Sequence, residues 1–298
     1  MTKLKRMMFV FNPKSGKSKI KSELFNIVDR FVKAGWSVRV HPTQKAADAY
    51  EQIKTEGKKY DMVVASGGDG TLRESINGLM TITEEKRPEF GYIPSGTVND
   101  FASALHIPKS VKKAVTKIID GEPIPCDIGR GNGNYFTYVA AFGAFTEVSY
   151  ETPQNVKNIL GKVAYFLAGI KSIANIKGIP MTVKWDGGEI EDEFILGLVT
   201  NVDHAAGMKI KYNENSQIND GLIEAILIKK PKSIVDVSAI IPELLSGKLS
   251  SEYFVQFSSS NMVFKSPEAV KWTFDGEFGG ENETVDIQVI KCAIDIVI

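Results

Sequence analysis

From Met7 to about Gly121 the apolar positions switch repeatedly between short continuous runs and helical spacing. Met7–Phe11 is an unbroken apolar run of the kind a central parallel strand shows. Ile20, Leu24, Ile27, Val28 and Phe31 then keep helical spacing, and Gly35 suits a helix C-terminus. Ser37–Val40 alternates as a strand ending at His41-Pro42-Thr43, and Ala46–Glu56 reads as a helix stopped by Gly57. Asp61–Ala65 is the next buried strand, and Leu72, Ile76 and Leu79 mark the helix after it. Phe90–Ile93 is a further strand, Ala102 and Leu105 continue as a helix, and Val111–Ile119 forms another, closed by Gly121. This alternation predicts a parallel, doubly wound sheet. Such sheets bind ligands beyond the carboxyl ends of their strands, so the loops at Asn12, Thr43, Gly67 and Ser95 should gather at one rim.

Near Ile124 the pattern changes. Gly131-Asn132-Gly133-Asn134 reads as a hairpin turn between Asp127-Ile128-Gly129 and a strand over Tyr135–Phe145. Asp186-Gly187-Gly188 separates Met181–Trp185 from Ile190–Thr200, Asp220-Gly221 precedes Leu222–Ile228, and Asp275-Gly276 follows Val270–Phe274. Val285–Ile298 carries two more strand-like runs. Many strands joined by Asx-Gly turns indicate an antiparallel sandwich or barrel. Helical stretches at Val156–Ile176 and Ile234–Leu245 interrupt it. The first has a broad apolar side punctuated by Lys157, Lys162, Lys171 and Lys177. It reads either as a basic element resting on anionic lipid or as an ordinary helix packed on the sheet. The predicted fold class is therefore α/β plus mainly β. A doubly wound parallel α/β domain spans 1–125 and an antiparallel β-sandwich-like domain spans 126–298, with the active site expected in the cleft between them. The last strands either stay in the second domain or return to the first.

Composition narrows the function classes. The 298 residues suit two domains, and 36 basic against 36 acidic residues give no net field to attract nucleic acid or a membrane surface globally, leaving local patches open. Cys126 and Cys292 lie far apart, and His41, His106 and His204 show no zinc spacing, which points to reduced thiols and a cytoplasmic setting. The basic Met1–Arg6 is followed by an apolar run too short for a signal peptide, and no run reaches the length of a membrane span. Peripheral contact with the inner face of the membrane fits this picture, and exposed strand edges would suit a homodimer.

The candidate chemistry centres on Gly67-Gly68-Asp69-Gly70-Thr71, a tight turn between a buried strand and a helix. Glycines let backbone N–H groups approach a ligand, and the helix N-terminus favours a phosphate. Asp69 adds a negative charge to that cradle, which suits a divalent cation held between carboxylate and phosphate. The alternative is a plain glycine turn. Asn12-Pro13-Lys14-Ser15-Gly16-Lys17-Ser18 resembles the end of a P-loop, but Phe11 stands where that motif needs glycine. It is either a second set of N–H groups facing a nucleotide or a loop with solvated lysines. Asp220-Gly221 and Asp275-Gly276 read as hairpin corners unless partner motifs give them a role, and Asn99 and Asp100 read as helix caps.

Gly67–Thr71, together with Gly96-Thr97-Val98-Asn99-Asp100-Phe101 and the late Asp275-Gly276-Glu277, resembles the soluble bacterial diacylglycerol kinase family of lipid kinases. That family is related to sphingosine and ceramide kinases and, more distantly, to NAD kinases and phosphofructokinases. The resemblance covers essentially the whole chain and implies ATP-dependent phosphorylation of a lipid hydroxyl, with diacylglycerol giving phosphatidic acid. It implies a nucleotide site of Asn12, Pro13, Lys14, Ser15, Gly16, Thr43, Gly67, Gly68, Asp69, Gly70, Thr71, Leu72 and Thr97, with Asp69 holding the Mg²⁺ that bridges the ATP phosphates. Glu277 would be the general base with Asp275 beside it. Gln217, Asp220 and Leu222 would hold a structural Mg²⁺. Arg73 departs from the asparagine that many members carry there. Rival readings are a kinase of a soluble substrate such as NAD, and a non-catalytic nucleotide-binding regulator.

Overall fold

The computed structural model describes residues 4–16, 19–96, 99–143, 177–201, 204–205, 208–209 and 217–298, with Ala164 and Leu167. Thr97, Lys17 and nearly all of the Val156–Ile176 stretch lie outside the described residues. The chain divides into two compact units, Met1–Ile128 with Lys291–Ile298, and Gly129–Ile290.

The first unit alternates strand and helix in this order: β1 (Lys5–Phe11), α1 (Lys19–Lys33), β2 (Trp36–Pro42), α2 (Asp48–Glu56), β3 (Met62–Gly67), α3 (Asp69–Met80), β4 (Glu89–Pro94), α4 (Asp100–Ala104) and α5 (Val111–Asp120). The strands are parallel and ordered β2-β1-β3-β4, with Ile296 of the returning C-terminal segment paired to Phe90 of β4. Met7 through Phe11 are all buried. Met7, Phe9 and Phe11 pack with Ile20, Ile27 and Phe31 of α1 and Val115 and Ile118 of α5, while Met8 and Val10, which alternate to the other face, are equally buried. Burial on both faces is why β1 is continuously apolar. β2, at the edge, keeps the alternation its sequence shows. Arg87 donates to the carbonyls of Leu79, Ile82 and Ala293, tying the loop after α3 to the C-terminal segment.

The second unit begins within β5 (Pro123–Gly131) and continues through β6 (Asn134–Phe136), β7 (Val139–Gly143), β8 (Ile179–Trp185), β9 (Gly188–Thr200), β10 (His204–Ala205), β11 (Met208–Lys209), β12 (Ile223–Lys229), α6 (Ile234–Ser246), β13 (Phe254–Ser259), β14 (Asn261–Phe274) and β15 (Glu277–Val297), whose last residues belong to the first unit. All its described pairings are antiparallel. β9 and β14 each change neighbours along their length, so β8, β9, β7 and β14 form a closed circuit. Phe142, Phe264, Trp272 and Phe274 fill its interior, with the Phe142 and Trp272 rings 4.9 Å apart. The Asn132-Gly133 and Asp186-Gly187 turns close hairpins as their sequences predict.

One expected element differs. The strand over Tyr135–Phe145 is broken between β6 and β7, because the N–H groups of Thr137, Tyr138 and Val139 all donate to the Asp275 carboxylate. A side chain distant in sequence has taken backbone donors that a ladder would otherwise use. Among the described residues, no helix is long and apolar enough to cross a membrane.

Candidate active site

In the first unit the carboxyl ends of β1, β3 and β4 are joined by polar contacts. Asn12 N–H donates to the Ser66 carbonyl at 2.9 Å, and Ser95 N–H to the Gly67 carbonyl at 2.8 Å. The Ser15 and Ser95 hydroxyls lie 2.7 Å apart, and the Ser66 hydroxyl donates to that of Ser95 at 3.3 Å. Thr43 N–H donates to the Phe11 carbonyl at 2.9 Å, placing the loop after β2 beside the Asn12 loop. The four loops expected at one rim therefore belong to neighbouring strand ends, three of them linked directly.

α3 begins at Asp69 with Gly68 as its N-cap, and no side chain caps it. A helix start without a side-chain cap leaves N–H groups available to an anion. The glycines here have unequal tasks. A Cβ on Gly67 would overlap the Thr71 side chain, and one on Gly96 would stand 2.5 Å from Gly68 Cα and 2.8 Å from Asn99 Oδ1. A Cβ on Gly70 would meet nothing within 4 Å. Gly96 thus lets two turns touch, Gly67 lets its own turn close on Thr71, and Gly70 leaves the outer side of the turn open. Gly16, at φ 52°, has its Cα so close to the Ser95 carbonyl that any side chain would overlap it. Replacing Gly96 by alanine is expected to cost about 1–3 kcal/mol of unfolding free energy in urea, because the contact opposite is backbone.

Asp69 is half-buried, and its Oδ2 accepts the Asn99 N–H at 3.1 Å. Asn99 sits at φ 57° and does not cap α4 through its side chain. It instead brackets Gly96, accepting that residue's N–H at 3.0 Å and donating to its carbonyl at 2.8 Å. Tyr92 donates its hydroxyl to the Gly67 carbonyl at 2.9 Å, and burial, with Asp69 nearby, pushes its phenol well above the ordinary range, so it stays a neutral donor. Lys14 is exposed, while Leu72 is fully buried, which limits any ligand contact of Leu72 to its backbone. Sequence reasoning missed Ser66, Tyr92 and the bracketing by Asn99. The available signal was a serine, Ser66, directly after the apolar run of β3.

In the second unit, Asp275 and Gly276 form the two-residue turn between Phe274 and Glu277, both at positive φ (52° and 82°). Asp275 is buried. Its Oδ2 accepts the Thr137 N–H at 2.8 Å and the Thr137 hydroxyl at 3.0 Å, and its Oδ1 accepts the N–H groups of Tyr138 at 3.0 Å and Val139 at 3.2 Å. Burial pushes its pKa up to about 6, against the pull of those donors. Glu277 is exposed beside Phe278, which is 68% exposed. The two acidic residues of the motif thus stand in opposite environments: Asp275 is locked inside and Glu277 faces outward.

In the Gln217–Leu222 loop, the Asp220 carboxylate accepts the N–H groups of Gln217 at 3.1 Å and Leu222 at 2.9 Å. Among the described residues, no group of three or more His, Cys, Asp or Glu side chains is arranged to hold a metal. A single carboxylate beside an uncapped helix start is nonetheless a donor set Mg²⁺ can use when substrate phosphates and water complete its shell, so Asp69 fits that ion.

Residues 6–131 match the model of the diacylglycerol kinase catalytic domain, and residues 140–298 match that of the YegS C-terminal NAD kinase beta sandwich-like domain. A Bacillus subtilis (strain 168) protein named diacylglycerol kinase is 32% identical over 93% of this chain and 91% of its own length. A diacylglycerol kinase of Staphylococcus carnosus (strain TM300) is 34% identical over 93% and 90%. A solved structure from Bacillus anthracis str. Sterne, assigned as a diacylglycerol kinase, superposes with TM-score 0.82 at 25% identity and covers 100% of this chain and 96% of that one.

Proposed function

Because the chain belongs to the diacylglycerol kinase family and is a kinase, we propose that it transfers the γ-phosphate of ATP to the hydroxyl of a diacylglycerol-like lipid. The observation that carries this reading is the joined rim of β1, β3 and β4, where an uncapped helix start, an open glycine face and one carboxylate meet. The loop Asn12, Pro13, Lys14, Ser15 and Gly16 and the turn Gly67 to Thr71 would surround the phosphates, with Thr43, the Leu72 backbone and Thr97 completing the nucleotide contacts. Asp69 would hold Mg²⁺, which when bound neutralises charge on the phosphates. As the lipid oxygen bonds to the γ-phosphorus, the bond to the β–γ bridging oxygen breaks and ADP leaves. The hydroxyl proton passes to Glu277. Asp275, with both oxygens engaged, is reassigned from catalysis to positioning: it anchors the hairpin that presents Glu277.

The test is transfer of labelled phosphate from ATP to diacylglycerol in mixed micelles, with NAD as a parallel acceptor. Lipid labelling is expected. Labelling of NAD alone would replace this reading with the soluble-substrate one, for which the name of the matched second domain speaks. Glu277→Gln is expected to lower kcat by about two to three orders of magnitude with KM for ATP little changed.

The Gln217–Leu222 loop retains a proposed structural cation role, with the Asp220 carboxylate as its charged oxygen donor. Mg²⁺ should raise the wild-type Tm, and Asp220→Asn should remove that increment in differential scanning fluorimetry.

A further inference from the structure

The Gly67 carbonyl is held by three donors. The N–H groups of Ser95 and Gly96 donate to it at 2.8 Å and 3.1 Å, and the Tyr92 hydroxyl at 2.9 Å. A carbonyl oxygen has two lone pairs, so the two amides already satisfy it. The phenol is an addition from the core. Tyr92 lies fully buried in the middle of β4, where a phenylalanine would fill nearly the same space. Burial, with Asp69 nearby, keeps its hydroxyl protonated and therefore donating.

A peptide between two glycines has the widest choice of orientations, because neither side chain restricts it. A third tether on such a peptide fixes which way it faces. The Gly67–Gly68 peptide is trans, so its N–H points opposite to its C=O. With the carbonyl drawn toward Tyr92 and the loop after β4, the Gly68 N–H is turned away from them. Gly68 is the N-cap of α3, and its N–H is one of those a helix start leaves without an intrahelical partner. A Cβ on Gly96 would stand 3.3 Å from the Gly68 nitrogen, so the missing side chain keeps the surroundings of that nitrogen clear. Donors on the carbonyl also polarise the peptide, which strengthens its N–H as a donor in turn.

We infer that Tyr92 is a positioning residue for phosphate binding, its hydroxyl fixing the Gly67–Gly68 peptide so that the Gly68 N–H is presented to a phosphate oxygen of the nucleotide. Tyr92 touches no ligand and acts through the peptide alone. The inference rests on the reading that this rim takes the triphosphate of ATP, and it is independent of the acceptor.

The test is calorimetric titration of the wild type and Tyr92→Phe with magnesium tripolyphosphate and, separately, with adenosine. The Gly68 amide resonance is followed in protein carrying isotope-labelled glycine. Tyr92→Phe should weaken tripolyphosphate binding about fivefold and raise the KM for ATP by a similar factor, with adenosine affinity unchanged. In the wild type the Gly68 resonance should move on adding tripolyphosphate. Tripolyphosphate affinity unchanged in Tyr92→Phe would overturn the inference and mark the hydroxyl as a stabilising group only. Equal losses for adenosine and tripolyphosphate would overturn it as well, since a general loosening of the fold does not select the phosphates. Should Tyr92→Phe fail to fold, the wild-type resonance decides: a Gly68 amide indifferent to tripolyphosphate overturns the inference, and a responsive one supports it. If tripolyphosphate binding follows Tyr92 while no lipid is labelled, the lipid-acceptor reading fails and the role of Tyr92 stands.

Discussion

An Asp69→Ala enzyme is expected to lose phosphoryl transfer by about three orders of magnitude in kcat/KM while still folding. The carboxylate stands at the first residue of α3, where its negative charge has a local structural use as acceptor for the Asn99 N–H. Alanine removes that acceptor together with the charge proposed to hold the cation, so Asp69→Asn is the sharper variant. Its amide oxygen can still accept from Asn99, but it has no charge to offer a divalent ion. Both variants should show a similar loss, with circular dichroism matching the wild type. An Asp69→Asn enzyme within tenfold of wild-type activity would sink the proposed role.

The second large effect is on stability. Asp275→Ala leaves three buried N–H groups, those of Thr137, Tyr138 and Val139, without their acceptor in the gap between β6 and β7. Each stranded donor carries a desolvation cost, and the sum is expected to reach about 3–5 kcal/mol in denaturant unfolding. Titration gives a second readout. The folded-state pKa of about 6 lies above the ordinary 3.8, so the folded chain holds a proton that the unfolded chain releases between those values. The stability linked to this group is therefore full below about pH 4 and is lost as pH rises through about 6. Asparagine at 275 does not titrate. The difference in unfolding free energy between wild type and Asp275→Asn should thus narrow by on the order of 2 kcal/mol from pH 4 to pH 7 and stay level above. A difference independent of pH would show that Asp275 titrates normally.

The parallel half of the fold was legible because burial on both faces writes itself into continuous runs such as Met7–Phe11, and because glycine marks the turns. The Asx-Gly corners of the second half were legible for the same local reason. Asp275 was not, since its four donors come from a segment far away in sequence and the same Asp-Gly pair serves as an ordinary corner elsewhere. The Ser15, Ser66 and Ser95 hydroxyls come from three separate segments, two loops and the end of β3, and no spacing connects them. Asn99 read as a cap because position before a helix is a local signal, whereas its bracketing of Gly96 depends on a left-handed backbone that the sequence does not announce. The pairing of Ile296 with Phe90 likewise joins the end of the chain to a strand formed early.

That last pairing bears on how the protein is made. During translation the first unit remains one strand short until residues 291–298 have left the ribosome, so the β4 flank stays unsealed throughout synthesis of the second unit. A truncated product stopping at Ile128 would keep that flank open permanently and would recruit strands from neighbouring nascent chains.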